Sequence, residues 1–515
     1  MNFFYEWLNL RRLGFITIFI SLLGLFVLAD PDYFWHIRTG QYILDNIHIP
    51  SSDIFSYTFF GSRWILHEWL FEVILYGVYI VVGEFGVKLL AAILTIATLL
   101  ISYKTVKKIT SMPWLAFYLV LLMVYLITPN ISPRPQLITF FLFSYFLHIL
   151  IAFKYFNEKK YLWTLPILMV IWVNSHGGFI AGIALISLFS LCELVKFTLE
   201  NNQSDFCKHN INLLLLTLIL VILSTLLNPN FVHLWAYPFD VMKMEAAKTL
   251  IDEWLSPSFH DVRYQVYLAL VLLAFTFAIF RVKNPDLTEI VLALFFSSIG
   301  FVSARHVPLA ILVLVTFVAT TFNQLDLLKV LQHEKLNHLK NLYNKNFADG
   351  RDIGKSEFLI NWSILAFTIV GFVLFYQEIH ASDKVKINEI VPIKATEFII
   401  ESGVKGNVFN VYHYGGYLIY RLYPQQKVFI DGRGDMYGDK FILEYIKMQS
   451  GLPGWRESFE KYKIDYVITS NNSVLVELLQ TKNDFILVFK DEINSVLVKN
   501  DVKFSEVINK YKISN

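Results

Sequence analysis

The chain has 515 residues, of which 55% are hydrophobic and 17% are charged, and its formal net charge is +2. Soluble proteins carry about 25% charged residues, so this composition excludes an ordinary soluble enzyme and indicates an integral membrane protein. The nearly balanced charge gives no sign of a nucleic-acid partner. Both cysteines, Cys192 and Cys207, fall near one predicted cytoplasmic loop, so no disulfide is expected in an exported domain.

Apolar runs long enough to cross a bilayer recur through the first three quarters of the chain. The first run follows Arg11 and Arg12 and precedes no small-residue cleavage motif, so we expect an uncleaved helix whose N-terminus is cytoplasmic. The runs predict about eleven membrane-spanning helices, near residues 13–29, 86–106, 112–128, 136–154, 161–174, 177–197, 210–227, 262–281, 286–303, 306–323 and 357–376.

The run at 68–83 decides the topology, because counting it as a span would reverse the side of every later loop. Basic residues favour the cytoplasmic side of a membrane. If 68–83 lies along the outer interface, the Lys-rich loops, including the basic segment 324–356, all fall inside. We therefore predict an interfacial helix at 68–83, a transmembrane domain over 1–380, and a location in the bacterial plasma (inner) membrane.

From Val385 onward the sequence is typical of a soluble α/β domain, in which short β-branched runs alternate with helical segments. The predicted strands lie near 406–412, 427–431, 464–469, 485–489 and 495–498. The predicted helices lie near 394–402, 438–449, 454–462 and 473–480. Because the last predicted span ends outside, we expect the domain at 385–515 to be extracytoplasmic.

The segment 30–85, between the first and second predicted spans, is dense in carboxylates, histidines and indoles. A plain connector needs few of these, so we expect a functional site on this external loop. Asp30 and Asp32 follow the first helix at the membrane surface, where a carboxylate loses hydration and can act as a general base or hold a divalent cation. His36 shares a helix face with Asp32, and these two are the expected ligands if a metal binds. A helix N-cap is the alternative role for Asp-Pro-Asp.

Other polar residues fall at external helix ends under this topology. Arg134, Arg305 and His306 are basic residues at such ends, and His176 precedes two glycines that allow close backbone approach. Together they can hold a lipid phosphate, for which arginine offers a bidentate fork. Snorkelling to ordinary lipid headgroups is the alternative. Further external candidates, each more often a cap or an interfacial anchor, are His67, Glu68 and Glu253.

In the C-terminal domain, Tyr417 and the pair Asp431 and Arg433 follow predicted strands. Open α/β sheets bind ligands at such strand ends, and an aromatic cluster there can stack on a sugar. Turn chemistry with a buried Asp–Arg pair is the alternative, which we favour. The sequence contains no Gly-rich nucleotide loop, no metal-spaced Cys/His set and no nucleophile elbow, which argues against soluble nucleotide chemistry.

At these residues the chain resembles the GT-C superfamily of membrane glycosyltransferases. Pro31-Asp32 follows the first helix, and after it come a helix near 34–46, an aromatic segment at 64–82 and Gly83-Glu-Phe-Gly-Val87 before the next span. This order is similar to that of the aminoarabinose and protein-mannosyl transferases. The chain also resembles a large group of bacterial membrane proteins that share Asp-x-x-Trp-His-x-x-x-Gly, Phe-Ser-Tyr-Thr, His-Glu-Trp-Leu and Trp-x-Asn-x-His-Gly-Gly.

The resemblance implies an enzyme that moves a sugar from a polyprenyl-phosphate-linked donor to a glycan, lipid or protein acceptor on the outer face of the membrane. It assigns the acid that serves as base or metal ligand to Asp32. Tyr33 stands where the mannosyl and aminoarabinose enzymes often have glutamate, so a second carboxylate would have to be Asp30. A transporter or flippase and a non-catalytic assembly factor for lipid-linked glycans are the alternatives.

Overall fold

The protein divides into two compact units, each assembled from separate stretches of sequence. The computed structural model describes residues 10–25, 30–199, 208–246, 252–279, 286–324, 355–481 and 483–513. The first unit comprises 1–26, 89–231 and 253–376, and the second comprises 27–88, 232–252 and 377–515. The predicted basic loop at 324–356 lies almost wholly outside the described residues. The first loop and the C-terminal region therefore belong to one unit.

The described part of the chain is mostly helical. In chain order its helices are α1 (Leu10–Leu25), α2 (Asp32–Asn46), α3 (Trp69–Thr110), α4 (Pro113–Ile127), α5 (Gln136–Phe156), α6 (Thr164–Val173), α7 (Phe179–Leu199), α8 (Lys208–Ser224), α9 (His233–Lys243), α10 (Val262–Ile279), α11 (Leu287–Val302), α12 (Val307–Asn323), α13 (Lys355–Ile390), α14 (Ile393–Ser402), α15 (Gly415–Leu422), α16 (Gly434–Gln449), α17 (Trp455–Lys461), α18 (Val474–Thr481) and α19 (Ser505–Tyr511). The strands are β1 (Val408–Asn410), β2 (Tyr466–Ser470), β3 (Phe485–Lys490) and β4 (Asn494–Lys499).

Apolar helices build the first unit. Among the described residues, six helices are long and apolar enough to cross a membrane, and shorter apolar helices accompany them. Every predicted span overlaps a helix, so a polytopic helical protein is confirmed, whereas the number of crossings stays a prediction. Helices α5 and α12 have mostly buried side chains and form the centre of this unit. Large apolar side chains such as Phe367 and Leu374 of α13 are exposed, as expected for a surface that lipid covers.

A backbone break at Gly83 divides α3. The φ of 67° and ψ of −153° at this residue are not helical, and the left-handed region favours glycine. Nothing lies within 4 Å of the place where a Cβ would stand, so the backbone conformation and not crowding requires glycine here. The break separates 69–82 from the apolar helix that follows. The placement of 69–82 along the membrane interface stays a prediction.

Buried ion pairs join three helix ends in the first unit. Nζ of Lys154 lies 2.6 Å from Oε1 of Glu193 and 2.5 Å from Oδ1 of Asp286. Lys196 contacts the same two carboxylates at 2.8 Å each. Asp286 also caps α11, so this cluster ties the ends of α5 and α7 to the start of α11.

The second unit contains a four-stranded sheet in the order β1-β2-β4-β3. Strands β1 and β2 are parallel, whereas β4 runs antiparallel to both of its neighbours. The residues of β1, β2 and β4 are nearly all buried, which matches their continuous β-branched and aromatic sequences. The α/β character predicted from Val385 onward is therefore confirmed as a small mixed sheet with helices.

The predicted strand at 427–431 is not a strand of this sheet, and that prediction was wrong. Its backbone pairs instead with the first loop. The N–H of Val428 donates to the carbonyl of Phe55 at 3.0 Å, and the N–H of Tyr57 donates to the carbonyl of Val428 at 3.0 Å. The side chain of Asn410 accepts a hydrogen bond from the N–H of Phe429 and donates one to the carbonyl of Ile430. Because these partners satisfy the backbone groups, the β-branched run needs no neighbour in the sheet.

The first loop and the C-terminal region should lie on the same side of the membrane, because backbone hydrogen bonds join them. The distribution of basic residues predicts that this side is external. Ser51 and Asn472 are both exposed. In a background that carries Cys192→Ser and Cys207→Ser, the variants Ser51→Cys and Asn472→Cys should both react with an impermeant thiol reagent on spheroplasts. Lys160→Cys, in a predicted inner loop, should react only after permeabilisation. Labelling of Lys160→Cys alone on intact spheroplasts would reverse the predicted orientation.

Candidate functional site

Helix α2 begins with the Asp-Pro-Asp motif, and its first acid is the cap. Oδ1 of Asp30 accepts a hydrogen bond from the backbone N–H of Asp32 at 3.0 Å. Asp32 is the first helical residue. The capping role considered for this motif therefore falls on Asp30.

The carboxylate of Asp32 lies against the C-terminal region. A Cβ on Gly432 would stand 2.1 Å from Oδ1 of Asp32 and 3.3 Å from Nε1 of Trp35. The indole N–H of Trp35 is buried and has no hydrogen-bond partner among the described residues. A Cβ on Gly416 would likewise stand 2.4 Å from the carbonyl oxygen of Pro31. Both glycines therefore allow the C-terminal region to pack directly on the start of α2.

One helical turn further on, His36 faces two glutamates. Its Nδ1 lies 3.0 Å from Oε1 of Glu72 and 3.8 Å from Oε2 of Glu68. His36 and Glu72 are both buried. These three side chains could hold a metal ion, since their ligand atoms all lie within 4.8 Å of one another. The sequence predicted Asp32 and His36 as the ligands if a metal binds, and the structure adds Glu68 and Glu72 as neighbours of His36.

Gly40 brings these side chains together. A Cβ on Gly40 would lie 2.1 Å from the carbonyl oxygen of Glu72, so the backbones of α2 and α3 touch at this point. Glu68 and Glu72 are one turn apart, and the N–H of Glu72 donates to the carbonyl of Glu68. The sequence analysis missed Glu72 because it stands within an apolar run. The available signal was its i, i+4 spacing from Glu68, with Gly40 at the same spacing from His36.

His67 extends the cluster of acidic residues and histidines. Its Nε2 lies 3.3 Å from Oε1 of Glu68, and its ring packs on the ring of Tyr237 with centroids 4.3 Å apart. Burial lowers the pKa of His67, but the carboxylate of Glu68 outweighs it and the net pKa is raised. Burial raises the pKa of Asp435, and the opposing effect of His67 leaves the net pKa raised. The sequence analysis singled out neither Tyr237 nor Asp435.

Asp431 and Arg433 form a buried ion pair that a third residue, Asp53, completes. Nε and Nη2 of Arg433 donate to the two oxygens of Asp431 at 2.7 and 2.6 Å, which is a bidentate arrangement. Nη1 of Arg433 lies 2.8 Å from Oδ1 of Asp53. Its N–H bonds do not point at an acceptor, so this contact is an ion pair without a directed hydrogen bond. Tyr437 donates its hydroxyl to Asp431 at 2.7 Å.

Asp53 links this ion pair to the first loop. Its carboxylate accepts hydrogen bonds from the backbone N–H groups of Phe55 and Ser56 and from the hydroxyl of Ser56. The guanidinium of Arg433 stacks 4.5 Å from the ring centroid of Trp64. The Phe-Ser-Tyr-Thr segment and Trp64, which the sequence marked as unusual for a connector, thus form the loop side of this contact. We call Asp53, Asp431 and Arg433 the ionic latch.

Tyr417 is packed within the protein. Its ring meets the ring of Phe34 edge to face, with centroids 4.9 Å apart, and its hydroxyl accepts a hydrogen bond from Arg421 at 2.9 Å. Only 3% of Tyr417 is exposed, so this ring is not a surface on which a sugar stacks. The aromatic residue after the two glycines anchors α15 against α2.

In the first unit, two of the predicted phosphate-binding cations come together. Nη1 of Arg134 lies 3.7 Å and Nη1 of Arg305 lies 3.8 Å from the same Oε1 of Glu253. All three side chains are between a quarter and a third exposed. The guanidinium of Arg305 also stands 5.6 Å from the ring centroid of Trp254. The sequence grouped the two arginines as phosphate ligands, but it gave no sign that Glu253 lies between them.

The two other predicted phosphate ligands have different surroundings. Nδ1 of His176 lies 2.7 Å from the hydroxyl of Thr139 and accepts the backbone N–H of Gly178. A Cβ on Gly178 would stand 2.4 Å from the same hydroxyl, so the glycine serves close packing between the start of α7 and α5. His306 belongs to the same short 3₁₀ turn as Arg305. Its Nδ1 is buried and has no partner among the described residues.

Comparison with known proteins reveals a likeness of fold. No protein-family model and no curated protein sequence matches the chain. The oligosaccharyltransferase AglB of Archaeoglobus fulgidus, in the apo form, superposes with a TM-score of 0.55 over 89% of this chain and 69% of that chain, at 11% identity. ArnT of Cupriavidus metallidurans bound to undecaprenyl phosphate gives a TM-score of 0.50 over 95% and 97%, at 11% identity. Both are GT-C glycosyltransferases.

The chain has a GT-C-like fold. The resemblance predicted from Pro31-Asp32 and the motifs that follow it is confirmed at this level, and apo ArnT gives the same result with a TM-score of 0.52 and 13% identity. Identities this low carry no residue roles from one protein to the other. The roles of Asp32, Arg134 and Arg305 in this GT-C-like chain are therefore argued from its own geometry.

Proposed function

We propose that this protein is a GT-C-type glycosyltransferase that moves a sugar from a polyprenyl-phosphate-linked donor to an acceptor on the outer face of the plasma membrane. The observation that carries the proposal is the pair of arginines that share one carboxylate. Two guanidinium groups, those of Arg134 and Arg305, converge on the same oxygen of Glu253 at 3.7 and 3.8 Å. Two converging guanidinium groups can bind the oxygens of a lipid phosphate through charge-assisted, bidentate hydrogen bonds.

The partial burial of this arginine pair suits a phosphate at a membrane surface. Fully exposed cations are screened by water and salt, whereas half-buried ones keep more of their attraction for an anion. Arginine also offers a planar fork for phosphate oxygens. Among the solved structures of similar fold, AglB is seen with a dolichol-phosphate and ArnT with undecaprenyl phosphate. A lipid phosphate is therefore the ligand class that we assign to Arg134 and Arg305.

In the second unit, we assign the acid–base role to Asp32. The acceptor oxygen would form a bond to the anomeric carbon of the sugar as the bond from that carbon to the phosphate oxygen breaks. Asp32 would take the proton from the acceptor, and polyprenyl phosphate would leave with the bonding electrons. A buried indole N–H beside this carboxylate, that of Trp35, provides a nearby donor for the acceptor or the sugar. The acceptor class, a glycan, a lipid or a protein, is open.

A deletion strain and variants of the two arginines test this proposal. Membranes of a deletion strain should accumulate the lipid-linked saccharide, and purified protein should consume it in vitro with release of polyprenyl phosphate. Arg134→Ala and Arg305→Ala should each lower this rate about ten- to hundredfold, since a charge-assisted hydrogen bond contributes about 1.5–3 kcal/mol. Arg134→Lys and Arg305→Lys should recover only part of the loss, because lysine has no fork.

Arg263 provides the matched control for these substitutions. It lies in the same unit, is about 40% exposed and pairs with Asp261. Arg263→Ala should consume the donor at the wild-type rate, which would show that loss of any exposed positive charge is not enough. A wild-type rate in the double variant Arg134→Ala with Arg305→Ala would remove the phosphate role from these residues. Absence of any accumulated lipid-linked saccharide in the deletion strain would count against the glycosyltransferase itself.

A further inference from the structure

The cluster of His36, Glu68 and Glu72 has the dimensions of a metal site. In a tetrahedral zinc site the ligand atoms stand about 2.0–2.2 Å from the metal, which places neighbouring ligand atoms about 3.3 Å apart. Nδ1 of His36 lies 3.0 Å from Glu72 and 3.8 Å from Glu68, on either side of that value. Small side-chain rotations are enough to bring three such atoms around one ion.

The carboxylate of Glu72 is the group that needs a ligand. Glu72 is 0% exposed, and its Oε2 has no hydrogen-bond partner among the described residues. A buried carboxylate oxygen without a partner is strongly unfavourable. Protonation does not remove the difficulty, because a proton on Oε2 would itself lack an acceptor, and a proton on Oε1 would leave Oε2 unpaired. A cation shared with His36 and Glu68 satisfies the group.

We propose that His36, Glu68 and Glu72 bind a divalent transition-metal cation, with Zn²⁺ as the preferred ion. An imidazole among the ligands favours zinc over magnesium or calcium, which prefer oxygen ligands alone. Three protein ligands leave a coordination position open for water or another ligand, as in catalytic zinc sites. Asp32 is not among the ligands in this proposal. The catalytic meaning of the site rests on the proposed function, but its existence does not.

Residues around the cluster support the ligands in the way expected of a metal site. Oε1 of Glu68 lies 3.3 Å from Nε2 of His67. This contact holds the carboxylate so that its other oxygen, Oε2, faces His36. His67 is itself held against the ring of Tyr237. Partners of this kind fix the direction of metal ligands and raise the affinity of the site. Gly40 sets the distance between the two helices that carry the ligands.

The test measures metal binding directly and needs no glycosyl-transfer assay. The full-length protein in detergent is stripped with a chelator, dialysed against Zn²⁺ and analysed for metal content. We expect about one zinc per chain in the wild type, and a visible absorption band typical of tetrahedral coordination when Co²⁺ replaces Zn²⁺. The isosteric variants Glu72→Gln and Glu68→Gln should each lose affinity for Zn²⁺ by about tenfold or more.

Two control variants separate this site from neighbouring charge. Glu401→Gln changes an exposed glutamate of α14 and should leave zinc content unchanged. Asp32→Asn should also retain zinc, because Asp32 is outside the proposed ligand set. Glu68 is slightly exposed, so Glu68→Gln keeps the test informative if the fully buried Glu72→Gln fails to fold.

Each outcome decides between the two proposals. Wild-type zinc affinity in both glutamine variants, or no zinc in the wild type, would overturn the metal site. Loss of zinc in Asp32→Asn would show that Asp32 is a ligand, and the proposed set of His36, Glu68 and Glu72 would then be wrong. Zinc bound as expected by a protein that consumes no lipid-linked saccharide would leave the metal site standing and overturn the proposed function.

Discussion

Replacing Arg433 by alanine is expected to lower the free energy of unfolding of the second unit by about 3–5 kcal/mol. The guanidinium is 1% exposed and lies between two carboxylates that are fully buried, Asp431 and Asp53. Without it, both buried carboxylates would lose the positive charge that contacts them. Burial lowers the pKa of Arg433, but the two carboxylates outweigh it and the net pKa is raised well above its ordinary value. The arginine is therefore charged in the folded protein.

This loss should appear as rapid proteolysis of the C-terminal region in the full-length protein and as a lower denaturant midpoint. Arg456 is a suitable control, because it forms an ion pair with Asp484 in which both side chains are largely hydrated. Arg456→Ala should cost less than about 1 kcal/mol, as exposed pairs usually do. Arg433→Lys should fall between the two, since it keeps the charge and loses the bidentate contact. Equal stability of Arg433→Ala and wild type would show that the ionic latch does not hold the unit together.

The ionic latch illustrates what one sequence can and cannot predict. The alternation of β-branched and helical segments after Val385 was enough to place all four strands of the sheet and the main helices. The pairing of Asp53 with Arg433 was not visible, because nothing in local sequence marks two residues 380 positions apart as partners. The same limit explains the wrong strand at 427–431. Its sequence favours a strand, but its backbone partner is the first loop and not the sheet.

The candidate site shows the same division between local and distant signals. The acidic motif at the end of the first helix was recognisable, since Asp-Pro-Asp before an amphipathic helix is a local pattern. The choice between Asp30 and Asp32 as the cap depends on one hydrogen bond, from the N–H of Asp32 to Oδ1 of Asp30, which no sequence pattern specifies. Glu72 was overlooked because its apolar neighbours masked it. Gly40, Gly416 and Gly432 each permit a close approach between elements distant in sequence, which no local pattern marks.

Asp32→Asn is expected to lower the rate of donor consumption by about 10²–10⁴, the usual effect of removing a general base. Such a loss corresponds to about 2.7–5.4 kcal/mol of transition-state stabilisation. The substitution keeps the size of the side chain and removes only its charge, so the protein should insert, express and resist proteolysis as the wild type does. The rate is measured as release of polyprenyl phosphate from the lipid that accumulates in the deletion strain.

Asp30 is the control for this substitution, because its hydrogen bond to the N–H of Asp32 assigns it to the helix cap. Asparagine keeps a capping oxygen, so Asp30→Asn should retain near wild-type activity, and Asp30→Ala should cost about 1 kcal/mol of stability. A dead Asp30→Asn beside an active Asp32→Asn would transfer the catalytic role to Asp30. Wild-type activity in both variants and in the double variant would mean that no acid at the start of α2 takes the acceptor proton, because neither carboxylate would then be needed for transfer.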